Sequence, residues 1–196
     1  MNFIHKDVTV CTAPKTGFSS TRELLRAAPK NFDFGSCSRI YCVVREPRER
    51  LLSAWVMMYR STAWNYYYYQ KRNIPDADWD YIQRHAKDII ENPVHHLKRF
   101  IKGSGLDRWI HNSHFAPQWH AYRSLVIRYP KLIQFWNHRK LSDLFVHLGV
   151  VPVVRNVGAY PKDIDRDTLL KVIPQYDNTQ FWRPYREDLI MWNTLF

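Results

Sequence analysis

The sequence predicts an α/β domain, a P-loop-type parallel sheet flanked by helices, and three observations carry that prediction. Two short runs, Val8–Thr12 and Ile40–Val44, each lead through a loop into a stretch whose apolar residues recur at helical spacing. The second run is almost wholly apolar, as a strand covered on both faces must be. The 196 residues fit a single domain, and 45% apolar with 24% charged side chains is the balance of a globular chain and excludes wholesale disorder. Strand–loop–helix units in succession give a parallel sheet, because the chain must cross back over the sheet between strands.

Taken in order, Val8-Thr9-Val10-Cys11-Thr12 is a buried strand and Ala13 to Phe18 a loop. Ser19-Ser20-Thr21 supplies cap residues for a helix through Arg22 to Ala28, which Pro29 ends. After Ile40–Val44, Pro47 suits a first helical turn, and Leu51, Leu52, Trp55, Met58 and Tyr59 continue one face. Helices are expected from Asp78 to Glu91 and from Pro93 to Lys102, broken by Gly103 and Gly105. Residues 106–123 carry little periodicity and many His, Trp and Arg, and read as a surface loop. A third strand is expected at Leu132–Phe135, a helix at Leu141–Leu148 ended by Gly149, a short strand at Val150–Val154, and helices at Thr168–Ile173 and Pro184–Phe196.

The chain carries 29 Lys and Arg against 18 Asp and Glu, a net charge of +11. Residues 1–75 hold 12 basic and 5 acidic side chains, so the excess concentrates where both strand–loop–helix units lie. A polyanionic partner follows: a phosphorylated cofactor, an anionic glycan or nucleic acid. Three cysteines, Cys11, Cys37 and Cys42, form neither an even framework nor a Cys-x-x-Cys pair, which favours a reducing compartment. Lys6 and Asp7 interrupt any signal-peptide core, and no run reaches the ~18 apolar residues of a membrane span, so a cytoplasmic protein is expected.

Two motifs carry chemistry. Lys15-Thr16-Gly17-Phe18-Ser19-Ser20-Thr21 joins a strand to a helix and offers a cation, a turn-forming glycine and hydroxyl donors, the equipment of a phosphate-binding loop. It is no Walker A loop, since Lys15 precedes Gly17. Arg45 follows the second strand, where open α/β sheets bind ligands, and Ser53 lies eight positions on, about two helical turns. A guanidinium and a hydroxyl converging on one point suit a phosphate monoester. Arg48, by contrast, reads as part of a solvated basic face paired with Glu46 or Glu49.

Pro-Lys-x-Gly-x-Ser-Ser followed by Val-Val-Arg-x-Pro-x-x-Arg-x-x-Ser-Ala-Trp resembles the sulfotransferases that use 3′-phosphoadenosine 5′-phosphosulfate (PAPS), nearest to the Golgi carbohydrate, chondroitin-like branch. His114-Phe115-Ala116-Pro117-Gln118 and Tyr185-Arg186-Glu187-Asp188-Leu189 are similar to stretches of that branch. The resemblance implies a small single-domain sulfotransferase fold over residues 1–196. It implies that Lys15, Thr16, Gly17, Phe18, Ser19, Ser20 and Thr21 hold the 5′-phosphosulfate, and that Arg45 and Ser53 hold the 3′-phosphate. It further implies sulfuryl transfer to an acceptor hydroxyl, with a carbohydrate as the acceptor class, Lys15 neutralising the leaving phosphate. Several branches carry their base between the two motifs. Here that segment holds no His and only Glu23, so His114 is the candidate base, with Glu23, His111 and His120 as alternates.

The same residues bear on three other readings. A zinc site at His111, His114 and His120 lacks a His-Glu-x-x-His or cysteine pattern, and no metal is expected. An ATP-using P-loop kinase lacks the Walker order and a clear Mg²⁺ carboxylate. A non-catalytic basic module binding an anionic glycan or nucleic acid explains the charge and the aromatic run Trp64-Asn65-Tyr66-Tyr67-Tyr68-Tyr69, but not two placed phosphate motifs.

Overall fold

The computed structural model describes residues 1–16, 18–71, 79–102, 110–152 and 165–195. They gather into two compact bodies. The first comprises Met1–Pro47 with the described residues of Pro117–Val157 and Trp182–Phe196; the second comprises those of Arg48–Ala116 and Gly158–Phe181.

The first body is built on a five-stranded sheet in the order β3-β1-β2-β4-β5, with β1 at Asn2–His5, β2 at Val8–Thr12, β3 at Arg26–Ala27, β4 at Arg39–Val44 and β5 at Ile133–Asn137. The α/β class holds, but the sheet is mixed. Strands β2, β4 and β5 are parallel, as the crossover pattern requires, whereas β1 runs antiparallel to both β2 and β3. The cause is a two-residue hairpin turn at Lys6-Asp7, where Lys6 takes φ 53°, a sign that lets a tight turn follow the twist of its strands.

Side chains of β4 alternate between two cores, as a strand repeat of two demands. Ile40, Cys42 and Val44 pack with Tyr122 and Leu125 of one helix and Met191 and Trp192 of another. Tyr41 and Val43 pack on the opposite face with Leu141, Leu144 and Phe145. Helix α1 spans Phe18–Leu24, so it begins and ends four residues earlier than expected, and Arg26 and Ala27 pair with β1 instead. Residues 118–123, the end of the stretch expected as a loop, are helical within Gln118–Arg128. Gly149, at φ 71°, follows the helix Leu141–His147, as expected. Val150–Pro152 form no strand, and the rest of that expected strand lies outside the described residues.

In the second body, α2 (Pro47–Trp55) runs into a π-helical stretch, Val56–Ser61, and then α3 (Thr62–Tyr69). It is followed by α4 (Trp79–Glu91) and α5 (Pro93–Lys102). We number the later helices α6 (Gln118–Arg128), α7 (Leu141–His147), α8 (Arg166–Val172), α9 (Thr179–Trp182) and α10 (Arg186–Asn193). Arginine side chains close helix ends here. Arg60, fully buried, donates to the carbonyls of Ile89 and Ile90 in the last turn of α4, where the helix dipole favours a cation. Arg48 does the same for α8, donating to Leu170 O (2.8 Å) and Ile173 O (3.2 Å) and to the Gln175 amide. The half-buried Arg48 is therefore a helix cap where the sequence pointed to a solvated face with local pairs. Its neighbour Glu49 is paired with Arg166.

Candidate functional site

The first body brings both motifs to one edge of the sheet. Strands β2 and β4 are in register up to Thr12 and Val43, so the Lys15 turn and Arg45 leave from the carboxyl ends of adjacent parallel strands. Open α/β sheets bind ligands at that edge, because the loops there diverge and leave main-chain groups unpaired.

The turn is held by its own hydrogen bonds. Thr16 donates through both its backbone N–H (3.2 Å) and its hydroxyl (2.7 Å) to Ala13 O, so this hydroxyl works inside the turn. Lys15 sits at φ 68°, a left-handed conformation that L residues other than Asn and Asp seldom adopt. The Arg45 guanidinium donates from Nη1 to the Lys15 carbonyl at 3.2 Å. The half-buried Arg45 side chain is thus joined to the main chain of the half-buried Lys15, 30 positions away.

Three residues that sequence reasoning missed hold this arrangement. Gln118 clamps the main chain of Arg45: its Oε1 accepts from the Arg45 N–H and its Nε2 donates to the Arg45 carbonyl, both at 2.9 Å. Tyr122, one helical turn on, donates to Val43 O (2.5 Å) and accepts from Ala13 N–H (2.8 Å), tying β4 to the start of the turn. Burial, reinforced by the neighbouring Cys42, pushes the Tyr122 phenol far up, so it keeps its proton. Asp188 of α10 is fully buried and accepts the backbone N–H groups of Gln118 and Trp119, each at 2.8 Å. A signal for this helix was present: Gln118, Tyr122, Leu125 and Tyr129 fall at i, i+4, i+7 and i+11.

Of the remaining sequence candidates, Ser19 is exposed and Ser20 half-buried on α1, while Thr21 is buried. Gly17 and the side chain of Phe18 lie outside the described residues. Glu23 is exposed on α1 and His120 exposed on α6. Ser53, half-buried on α2, and the half-buried His114 belong to the second body. His114 donates its backbone N–H to Asn112 Oδ1 (2.9 Å), and His111 is exposed.

Chemically, a guanidinium held against the Lys15 turn is a donor for an anion, since Arg is able to engage two oxygens of a phosphate at once. Among the described residues no group of three or more His, Cys, Asp and Glu is placed to hold a metal ion, and no helix is long and apolar enough to cross a membrane. No family model, no curated protein and no solved structure matches this chain.

Proposed function

We propose that the chain is a PAPS-dependent sulfotransferase. The reading is supported above all by one observation, the meeting of Arg45 with the Lys15 turn at the carboxyl ends of adjacent parallel strands. The donor set fits a phosphorylated nucleotide: Lys15, Ser19 and Ser20 toward the 5′ end, Arg45 toward the 3′-phosphate. When bound, PAPS supplies a sulfuryl group for transfer to an acceptor hydroxyl, here assigned to a carbohydrate. Lys15 stabilises negative charge on the departing phosphate, an electrostatic contribution that grows as charge develops. Ser53, for the 3′-phosphate, and His114, as the group that takes the acceptor's proton, enter by the resemblance in sequence, with Glu23, His111 and His120 as alternates for the base.

Calorimetric titration with adenosine 3′,5′-bisphosphate, ADP and ATP–Mg²⁺ tests the reading. Tight binding of the bisphosphate over both others is expected. Preference for ATP–Mg²⁺ refutes it in favour of a kinase. Binding that ignores the 3′-phosphate and collapses with salt refutes it in favour of a polyanion-binding module.

A further inference from the structure

The sheet ladder between β4 and β5 ends at Val44, paired with Asn137. Arg45 is the next residue, and both of its main-chain polar groups are taken up by a single side-chain amide, that of Gln118. An amide that meets N–H and C=O of one residue fixes that residue's peptide planes much as another strand does. Gln118 is itself immobilised: it is fully buried, and its own N–H is held by Asp188. Four residues along α6, on the same face, the Tyr122 phenol joins Val43 O to Ala13 N–H. One helix face therefore grips the main chain on both sides of the candidate site, at the root of Arg45 and at the root of the Lys15 turn.

The main-chain groups that Gln118 and Tyr122 meet cannot themselves be replaced, so polar side chains at 118 and 122 keep buried N–H and C=O groups from being stranded. What that need leaves open is which segments the two side chains join. Both point at the main chain of the segments that carry the two cations.

We propose that α6 is a brace that sets the position of Arg45 relative to the Lys15 turn, with Gln118 the positioning residue for Arg45 and Tyr122 the positioning residue for the turn. The proposal rests on the reading that Arg45 takes the 3′-phosphate. It goes further by assigning to Gln118 a share of 3′-phosphate selectivity, although the side chain is sealed from solvent. Neither residue is catalytic.

The test compares adenosine 3′,5′-bisphosphate with adenosine 5′-monophosphate, which differ only in the 3′-phosphate, on the full chain by calorimetry. Gln118→Met keeps the length of the side chain and removes both hydrogen bonds. It is expected to lower the preference for the bisphosphate roughly tenfold, the worth of two ordinary hydrogen bonds, while 5′-monophosphate affinity stays within about twofold. In an Arg45→Ala background the same substitution is expected to change nothing further, because its effect passes through Arg45. Independently of any ligand, amide hydrogen exchange at Arg45 is expected to accelerate in Gln118→Met.

Equal loss for both nucleotides, or an unchanged preference, overturns the positioning role and leaves Gln118 a structural residue. If Arg45→Ala itself keeps the wild-type preference, the 3′-phosphate reading fails, and the role of Gln118 falls with it. Should Gln118→Met not fold, Tyr122→Phe carries the test. It retains the ring, and is expected to weaken both nucleotides by about the same factor, roughly tenfold, because they share the 5′ end. Unchanged affinity for both overturns the brace.

Discussion

His96 makes the second body acid-labile by a calculable amount. The imidazole is fully buried on α5, its Nε2 is hydrogen-bonded to the Tyr81 hydroxyl at 2.8 Å, and its ring lies among Trp55, Tyr59 and Tyr81. Burial pulls its pKa from 6.5 down to about 4, partly opposed by the Asp88 carboxylate and assisted by His85, Arg99 and His95. The folded state therefore binds this proton later than the unfolded chain does. Stability is whole above the unfolded value and is lost as pH falls from about 6.5 toward 4. The linkage relation gives a loss of about 2 kcal/mol between roughly pH 7 and 5, approaching about 3 kcal/mol below pH 4. That is a large fraction of the ~5–15 kcal/mol that holds a domain folded. Urea unfolding of wild type and His96→Phe at both pH values isolates the contribution, because the substitution's own cost cancels in the difference. Wild type is expected to lose about 2 kcal/mol more than the variant on acidification. Equal losses in the two proteins refute a buried neutral His96.

Asp188→Ala strands the N–H groups of Gln118 and Trp119, and by two charge-assisted bonds is expected to cost about 3 kcal/mol or more and roughly 6–12 °C in melting temperature, read by calorimetry. Lys15→Gly relieves the left-handed φ of 68° while removing a cation. Melting temperature is expected to rise, with up to ~1 kcal/mol of added stability, as bisphosphate affinity falls; parallel loss of both contradicts the assignment. Arg45→Ala is expected to weaken bisphosphate binding by about 2–5 kcal/mol in calorimetry, as for a severed charge pair. His114→Ala is expected to abolish sulfuryl transfer from labelled donor at unchanged bisphosphate affinity, and full turnover removes His114 from the mechanism.

The parts of the fold that were legible are those whose information is local. Val8–Thr12 announces itself as a short run rich in β-branched residues, and Ile40–Val44 as an almost wholly apolar one, the mark of a strand covered on both faces. Both cations of the candidate site follow those strands directly, so finding the strands found the cations. The edge of the sheet was hidden: β3 is two exposed residues, Arg26-Ala27, that favour helix by propensity and are claimed instead by pairing with Ile4 and Phe3. The Lys6-Asp7 turn carries none of the Gly or Asn residues that mark tight hairpins. The brace was hidden for a different reason. Gln118 meets Arg45 across 73 positions, Tyr122 meets Ala13 across 109, and Asp188 meets Gln118 across 70. Only the folded chain makes those residues neighbours.

The cysteines of the first body give the sheet an internal clock. Cys11 and Cys42 oppose each other across β2 and β4, at 1% and 0% exposure, and the Cys42 proton is held by Cys11 and by burial. Cys37, also buried, lies beside the Thr9 hydroxyl at 3.1 Å, just before β4 begins. A thiol reagent reaches the first pair only when the central strands separate, whereas Cys37 is reached when the approach to β4 frays. The order and rates of labelling in native buffer thus time two distinct openings of the sheet, without a probe being introduced.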